Sequence, residues 1–212
     1  MARPPSDIDK RVLRAARRQF VKKGVEATSL RSIAHEAKTS IGMVYYYFPT
    51  KDELFFAVVE EVYAKLLDDL EAALDPQQPF QTRVRQLYTR LGTLSQVERN
   101  IVRLVVLEAL TSSSRFPRLV ERFKRGHIAM IVQLVRDGSS SGALRRDVSP
   151  FALMSSIVAV GTLPQIVAKI LGKDLPAGLL PEPARLVDEL ERVLFEGLQP
   201  KPARRRPQTP AT

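Results

Sequence analysis

The stretch from Thr39 to Leu54, T-S-I-G-M-V-Y-Y-Y-F-P-T-K-D-E-L, constrains the fold of this chain more than any other. By propensity alone, three tyrosines and a phenylalanine in a row favour a β-strand. The flanking residues favour a short helix instead, because Ser40 can cap a helix start and Pro49 ends the run. Thr50, followed three residues later by Glu53, has the pattern of a capping box and predicts that another helix begins there.

A helix over residues 40–48 divides its side chains between two faces. Val44 and Phe48 lie about one turn apart and can both reach a core. The opposite face carries a patch of Gly42, Met43 and Tyr46, which is flanked by Tyr45 and Tyr47 and has Lys51 just beyond the turn. Because three consecutive aromatic residues cannot all be buried on one helix, at least one tyrosine faces outward. Hydroxyl donors and a lysine around a small residue suit the groove of a DNA duplex.

A second helix is predicted upstream, over Thr28–Lys38, with Thr28 as its cap and apolar side chains on its inner side. Arg31 lies one turn inside this helix, and His35 points away from the apolar side. A few residues separate the segment from the helix that Ser40 caps. That spacing is typical of a helix-turn-helix motif.

Residues 8–54, about the first quarter of the chain, resemble the DNA-binding domain of the TetR (tetracycline-repressor) family of bacterial regulators. The matching pieces are A-x-x-x-F-x-x-x-G from Ala16 to Gly24, then T-S-L-R-S-I-A, then S-I-G-M-V-Y-Y-Y-F-P-T-K-D-E-L. The other three quarters agree only in length and helical pattern. The resemblance implies a DNA-binding site in which one set of residues faces base edges (Gly42, Met43, Tyr46) and another holds phosphates (Thr28, Tyr45, Tyr47, Lys51), with Arg31 and Ser40 alongside.

Two departures from the family pattern affect the turn between the two helices. Lys38 and Thr39 stand where the family usually has Gly and Val, and a non-glycine residue in a left-handed turn has a modest cost. Ile41 occupies a position that is commonly a phosphate-contacting lysine. That contact is therefore not assigned to Ile41.

The net charge of +10 is unevenly distributed along the chain. Residues 1–51 hold 11 Lys and Arg against 4 Asp and Glu, residues 52–198 hold 18 against 19, and the last fourteen hold 4 against none. A basic segment joined to a neutral one is typical of a phosphate-binding protein, although charge alone would equally suit a role in solubility. Its coincidence with the helix-turn-helix favours DNA.

Composition excludes several other classes of protein. The chain has no cysteine, which excludes disulfides and thiolate metal sites. The N-terminus lacks the apolar core of a signal peptide, and the longest apolar run, 151–171, is interrupted by polar residues. We therefore expect a cytoplasmic protein without a membrane span, a metal or a cofactor.

Helical periodicity continues through the rest of the chain and predicts an all-α fold. A long helix over 50–74 is followed by helices over 80–95, 98–110, 116–136, 151–171 and 181–198, with residues 98–110 buried nearly all round and a G-S-S-S-G loop at 138–142. We expect a three-helix DNA-binding domain over residues 1–50, a larger helical ligand-binding and dimerisation domain over 51–198, and a disordered basic tail over 199–212. The family resemblance implies that 151–171 and 181–198 form a four-helix dimer interface; closure of a monomeric core is the alternative.

Two polar residues stand out in the apolar body. Glu108 lies within an apolar helix, and His127 lies one turn beyond Phe123. Because buried charges need partners, these residues with Arg103 could line a pocket for an apolar or amphipathic effector. The alternative, which we favour, is that Glu108 pairs with an arginine such as Arg103 and that His127 is an ordinary core or surface histidine.

Together these features favour a homodimeric regulator that binds a palindromic DNA operator and is released by a small-molecule effector, most commonly as a repressor. A variant without an effector, acting through a protein partner or constitutively, stays open. An enzyme is disfavoured, because the sequence offers no nucleophile–base pair, metal cluster or phosphate loop at recognisable spacing.

Overall fold

A computed structural model describes residues 7–111, 113–171, 174–176 and 178–198. Throughout these ranges the regular structure is helical and no strand occurs, so the all-α prediction is confirmed. The helices are α1 (Ile8–Lys23), α2 (Leu30–Glu36), α3 (Ile41–Tyr47), α4 (Lys51–Ala73), α5 (Phe80–Gly92), α6 (Gln96–Leu110), α7 (Phe116–Lys124), α8 (His127–Ser140), α9 (Pro150–Leu171) and α10 (Pro183–Leu198). The predicted basic tail, residues 199–212, lies outside the described residues.

The chain divides into two compact units. The first contains the described residues up to Leu70 together with Leu94–His127, and the second contains Glu71–Thr93 and the described residues from Ile128 onward. The first unit therefore combines α1–α3 and most of α4 with α6 and α7. The functional division at residue 50 stays a prediction.

Aromatic and aliphatic packing between α1 and α4 forms the core of the first unit. Phe20 on α1 and Phe55 on α4 are fully buried, with ring centroids 6.2 Å apart in an edge-on arrangement. Ile33 from α2 and Val44 from α3 are also fully buried in this cluster. Each short helix is thus attached to the core through its own apolar face, in agreement with the helical spacing of the sequence.

The predicted helix 116–136 is in fact two helices, α7 and α8, because the chain turns at Gly126. The amide of Gly126 bonds to the carbonyl of Phe123 at 3.0 Å. A Cβ on Gly126 would lie 2.1 Å from the hydroxyl oxygen of Tyr63, so only glycine lets this phenol approach. The apolar periodicity continues across Gly126 in the sequence, so the prediction of one helix over 116–136 did not include a break there.

Two further predictions, for residues 98–110 and 138–142, are wrong. α6 is not buried all round, since Val106, Leu107 and Leu110 are exposed. The predicted loop at 138–142 is helical up to Ser140, and Gly138 is buried: a Cβ there would lie 2.6 Å from Phe80 and 2.8 Å from Leu144. Gly138 is therefore a close-packing glycine rather than a flexible one.

In the second unit, α9 packs closely on α5 through Gly161. A Cβ on Gly161 would lie 2.2 Å from Cε1 of the buried Tyr88 ring. The Tyr88 hydroxyl donates to the carbonyl of Ile157 at 3.0 Å, and the buried amide of Gln165 donates to the carbonyls of Tyr88 and Gly161. The buried polar groups of this contact are thereby satisfied, and burial strongly raises the pKa of Tyr88, so its hydroxyl remains a donor.

α9 is a single helix over Pro150–Leu171, in agreement with the predicted helix over 151–171. Pro150–Lys169 has a mean hydropathy of 1.8 and is long and apolar enough to cross a membrane by length and composition. Only 22% of this segment is buried within the chain. One such helix is weak evidence for a span, because length and composition alone do not distinguish it from a helix of a soluble protein.

Tyr63 and His127 form a hydrogen-bonded pair in the first unit. The Tyr63 hydroxyl accepts the backbone N–H of His127 at 3.1 Å and lies 2.9 Å from its Nδ1. A neutral ring whose Nδ1 carries no proton would accept the phenol's proton, while the phenol oxygen accepts the amide. Burial lowers the pKa of His127, which also favours the neutral form.

Gly161→Ala is expected to destabilise the protein by about 1–3 kcal/mol, because the new methyl group overlaps the buried Tyr88 ring. The measurement is urea denaturation followed by circular dichroism. Ser155→Ala, at an exposed position on the same helix, is the control and should stay within about 0.5 kcal/mol of the natural chain. Equal stability of the two variants would show that α9 does not approach α5 as described.

The free energy of unfolding is expected to fall as the pH drops below about 6.5, the value for an unfolded histidine. In that range the unfolded chain binds a proton at His127 that the folded chain does not bind until lower pH. His127→Gln removes this contribution, so urea denaturation of the variant should depend less on pH between about 7 and 5. A pH dependence as steep as that of the natural chain would contradict a neutral, buried His127.

Candidate nucleic-acid interface

The recognition-type helix α3 has the caps and faces that its sequence predicts. The Ser40 side chain accepts the amide of Met43, and Phe48 ends the helix. Val44 is fully buried, whereas Tyr45 is 53% exposed and Tyr46 is 76% exposed. α3 therefore has an exposed aromatic face that does not contribute to the packing of the helix on the core.

The predicted base-facing patch lies on this outward surface. Gly42 is exposed, and the nearest atom to a Cβ built on it would be Ser40 Oγ at 3.8 Å. Met43 is half-buried, and Tyr47 packs edge-on against Tyr46 with ring centroids 5.1 Å apart. This ring contact restricts the side-chain rotamers of Tyr46, so Tyr46 would lose less conformational entropy on binding.

α2 begins one residue later than predicted. Its cap is Ser29, whose side chain accepts the amide of Ser32, so the assignment of the cap to Thr28 is wrong. Thr28 is 2% exposed and donates its hydroxyl proton to the carbonyl of Gly24 at 2.7 Å. Thr28 closes the α1–α2 turn, and the exposed hydroxyl at this helix start belongs to Ser29. In the sequence T-S-L-R either Thr28 or Ser29 could be the helix cap. Ser29 takes that position because the Thr28 hydroxyl is bonded to the carbonyl of Gly24.

The turn between α2 and α3 is left-handed at Lys38, with φ 52°. The amide of Thr39 bonds to the carbonyl of Ala34 at 3.0 Å, which closes the end of α2. The cost expected of a non-glycine residue here is therefore present in the structure. Lys38 and Arg31 are both exposed, and the turn is intact without the usual glycine.

Lys51 opens α4, where the Thr50 hydroxyl accepts the amide of Glu53 at 3.0 Å. Only this half of the capping box forms, because the Glu53 carboxylate pairs with Arg118 at 2.6 Å. The Lys51 ammonium contacts the Glu26 carbonyl at 3.2 Å and the Glu26 carboxylate at 3.4 Å. A lysine predicted to bind phosphate is thus already adjacent to an anionic side chain.

Ion pairs and cation–π contacts join α4 to α7 in the first unit. Arg118 lies 4.0 Å from the Phe56 ring centroid, in addition to its pair with Glu53. Arg122 pairs with Glu60 at 2.7 Å and lies 4.8 Å from the Tyr63 ring centroid. α7 is therefore held along the same helix that carries Lys51 at its start.

The residues proposed for an effector pocket lie in different surroundings. Glu108 is buried and pairs with Arg115 at 2.8 Å, so its partner is Arg115 and not Arg103, which is exposed. Phe123 and His127 do lie together, with ring centroids 5.1 Å apart. Helical periodicity could not predict Arg115 as the partner of Glu108, because Arg115 follows a serine-rich break between the two helices. Among the described residues, no cluster of three or more His, Asp or Glu is placed to hold a metal ion.

Comparison with known families agrees with this geometry over two segments. Residues 12–58 match the family described as bacterial regulatory proteins, tetR family, and residues 81–176 match the family described as tetracyclin repressor-like, C-terminal domain. The first match contains α2, α3 and the start of α4. The second contains α5 from its second residue onward and all of α6–α9.

Among curated proteins, the chain is similar to the transcriptional repressor SCO4008 of Streptomyces coelicolor, with 26% identity over 171 residues, 80% of this chain and 84% of that protein. It is also similar to the uncharacterised HTH-type regulator YhgD of Bacillus subtilis, with 22% identity over 157 residues, 73% of this chain and 82% of that protein.

Solved structures share the fold. The ketosteroid transcriptional regulator KstR2 of Mycobacterium tuberculosis has a TM-score of 0.66 at 19% identity and covers 94% of this chain and 98% of its own. Salmonella enterica GusR has a TM-score of 0.68 at 18% identity, covering 92% and 96%. The helix-turn-helix formed by α2 and α3 and both family matches agree: this chain belongs to the TetR family of bacterial transcriptional regulators, which are DNA-binding proteins and not enzymes.

Proposed function

We propose that this regulator is a cytoplasmic homodimer that represses its target genes by binding a palindromic operator and is released from it by a small apolar or amphipathic effector. The observation that carries DNA recognition is the division of α3, with Val44 fully buried and Tyr46 76% exposed on the opposite side. Similarity to the repressor SCO4008 supports repression as the sign of regulation.

The base-reading residues in this proposal are Gly42, Met43 and Tyr46. Side chains that read base edges must be exposed and held by a rigid element, and α3 meets both conditions. The phosphate-binding residues are Ser29, Arg31, Ser40, Tyr45, Tyr47 and Lys51, which surround the patch; Thr28 supports the turn behind them. Phosphate contacts fix the position of the protein on the duplex without specifying sequence.

Dimerisation through α9 and α10 is supported by apolar side chains that the chain itself does not bury. Phe151 is 73% exposed, Leu163 is 61% exposed and Val193 is 62% exposed. Several exposed large apolar side chains on two helices that pack on each other favour an interaction surface in a soluble protein. A second copy would cover the same helices with the same surface, because a two-fold interface is self-complementary.

The effector would act by preferring a conformation in which the two DNA-binding segments are misplaced for successive half-sites. It can lower operator affinity only by the difference between its affinities for the two conformations. The KstR2 relative is described as a ketosteroid regulator, which supports an apolar ligand class. For the effector site we propose Phe123 and His127, whose ring centroids lie 5.1 Å apart, but not Arg103 and Glu108, because Glu108 is paired with Arg115.

The test is selection of bound duplexes from a random pool at two salt concentrations, with the mass of the complex measured by light scattering. A palindromic site that survives the higher salt, bound by an even number of subunits, is the expected result. Recovery of only salt-sensitive, sequence-blind binding would contradict operator recognition. Recovery of an asymmetric site bound by one subunit would contradict the dimer.

Lys51→Ala is expected to weaken binding to operator and random DNA alike and to reduce the salt slope of log K by about one unit, because one phosphate contact is lost. Tyr46→Ala should instead reduce the preference for operator over random DNA. Fluorescence anisotropy titrations at several salt concentrations measure both. Lys65→Ala, an exposed lysine about 21 Å along α4, is the control for net charge. If the Lys51 and Tyr46 variants lose the same binding on all sequences, the assigned roles are wrong.

A further inference from the structure

The buried guanidinium of Arg115 is the centre of an ionic cluster in the first unit, in which Glu108 is buried and Glu26 and Asp52 are exposed. Arg115 is 7% exposed and donates to Glu108 from Nε at 2.8 Å, to Asp52 from Nη1 at 3.0 Å and to Glu26 from Nη2 at 2.6 Å. These carboxylates come from three separate places: the end of α6, the first turn of α4 and the α1–α2 turn. One cation thus joins the α6–α7 connection to both sides of the helix-turn-helix.

Glu26 is shared between two cations. Its Oε1 accepts from Arg115 at 2.6 Å, while its Oε2 lies 3.4 Å from the Lys51 ammonium. The hydrogen bond from Arg115, with its charge and that of Lys51, lowers the pKa of Glu26, so this carboxylate is ionised at neutral pH. The contact with Arg115 is the shorter of the two, so Arg115 is the main ionic partner of Glu26 in this conformation.

We propose that Arg115 is a positioning residue for DNA binding: by holding Oε1 of Glu26 at 2.6 Å, it limits Lys51 to a longer, 3.4 Å contact with Oε2, which the ammonium can exchange for a backbone phosphate. This inference rests on the proposed DNA-binding function and assigns a role to two residues outside the DNA-contacting set. Without the guanidinium, Glu26 would keep Lys51 as its cation and could close on it more tightly than the present 3.4 Å. The ammonium would then be less available to a phosphate, and the carboxylates of Glu26 and Asp52 would lose the positive charge that Arg115 supplies.

The arrangement also explains how the α6–α7 connection affects the DNA-binding residues. Arg115 is held at its own end by the buried Glu108, whose carboxylate also bonds to the Ser113 hydroxyl. Glu108 is 9% exposed in its side chain and cannot be left unpaired without a large cost, whereas Glu26, 76% exposed, can be solvated. Among the three carboxylates, Glu26 is the most exposed, so a displacement of the connection costs least when it breaks the contact with Glu26 and leaves that carboxylate to Lys51 alone.

Arg115→Lys separates these two contacts. A single ammonium is a point charge that cannot bridge three carboxylates as the planar fork does, so it stays with buried Glu108 and releases Glu26. We expect the variant to fold, to bind operator about fivefold more weakly at roughly 0.15 M salt, and to lose about one unit of salt slope, which is one phosphate contact. The measurements are circular dichroism and anisotropy titrations of the full-length chain.

Rescue distinguishes positioning from a general structural role. Glu26→Gln alone should bind at least as tightly as the natural chain, and Arg115→Lys with Glu26→Gln should regain the lost affinity and salt slope. Glu53→Gln is the matched control: it removes the same charge two residues from Lys51, but from a carboxylate that pairs with Arg118. Glu53→Gln should not rescue Arg115→Lys.

A second variant covers the case in which Arg115→Lys does not fold. Arg115→Gln with Glu108→Gln removes both buried charges together and releases Glu26 in the same way, so it should show the same loss and the same rescue. The role of Arg115 would be overturned if Arg115→Lys lost the same operator affinity in the natural chain and in the Glu26→Gln background. Rescue of that affinity by Glu53→Gln would overturn it too. If the natural chain itself binds no DNA at any salt concentration, the proposed function fails, and the inference fails with it.

Discussion

The burial of Val44 is the constraint on which the DNA-binding geometry depends. α3 is seven residues long, and isolated helices of that length are unstable in water. Its conformation therefore comes from the Ser40 cap and from the contact of one apolar face with the core around Phe20 and Phe55. Because that face is fixed, the opposite face is fixed too, and Tyr46 is held outward by a residue that does not contact DNA.

Local signals in the sequence were sufficient for the parts of the site that are local. The Ser40 cap, the two faces of α3 and the left-handed Lys38 depend on residues within one or two turns, and the structure agrees with each. Ser29 in place of Thr28 shows the limit, since both fit a cap pattern and the choice follows from the bond between Thr28 and Gly24.

Interactions between distant segments could not be predicted in the same way. The partner of Glu108 was expected within its own helix, at Arg103, but the structure places Arg115 there, beyond a serine-rich break. Gly126 and Gly138 were ordinary helix or loop residues in the sequence, yet each permits a contact with a side chain far along the chain, Tyr63 and Phe80 respectively. A single sequence carries no signal for such pairs, because neither periodicity nor spacing connects their members.

Ion pairs that hold the first unit together also limit what its cations can do for DNA. Of the basic residues on α1, Arg17 pairs with Glu61 and Arg18 with Glu36, so their charge is partly neutralised within the fold. Because Glu61 lies outside residues 1–51, its pair with Arg17 neutralises a positive charge that the excess of that segment still counts. Where a carboxylate is shared, as Glu26 is, the charge offered to DNA depends on which cation holds it. A small displacement of one guanidinium can then change DNA affinity without moving α3, because the phosphate contact is altered while the base-reading face keeps its packing on Val44.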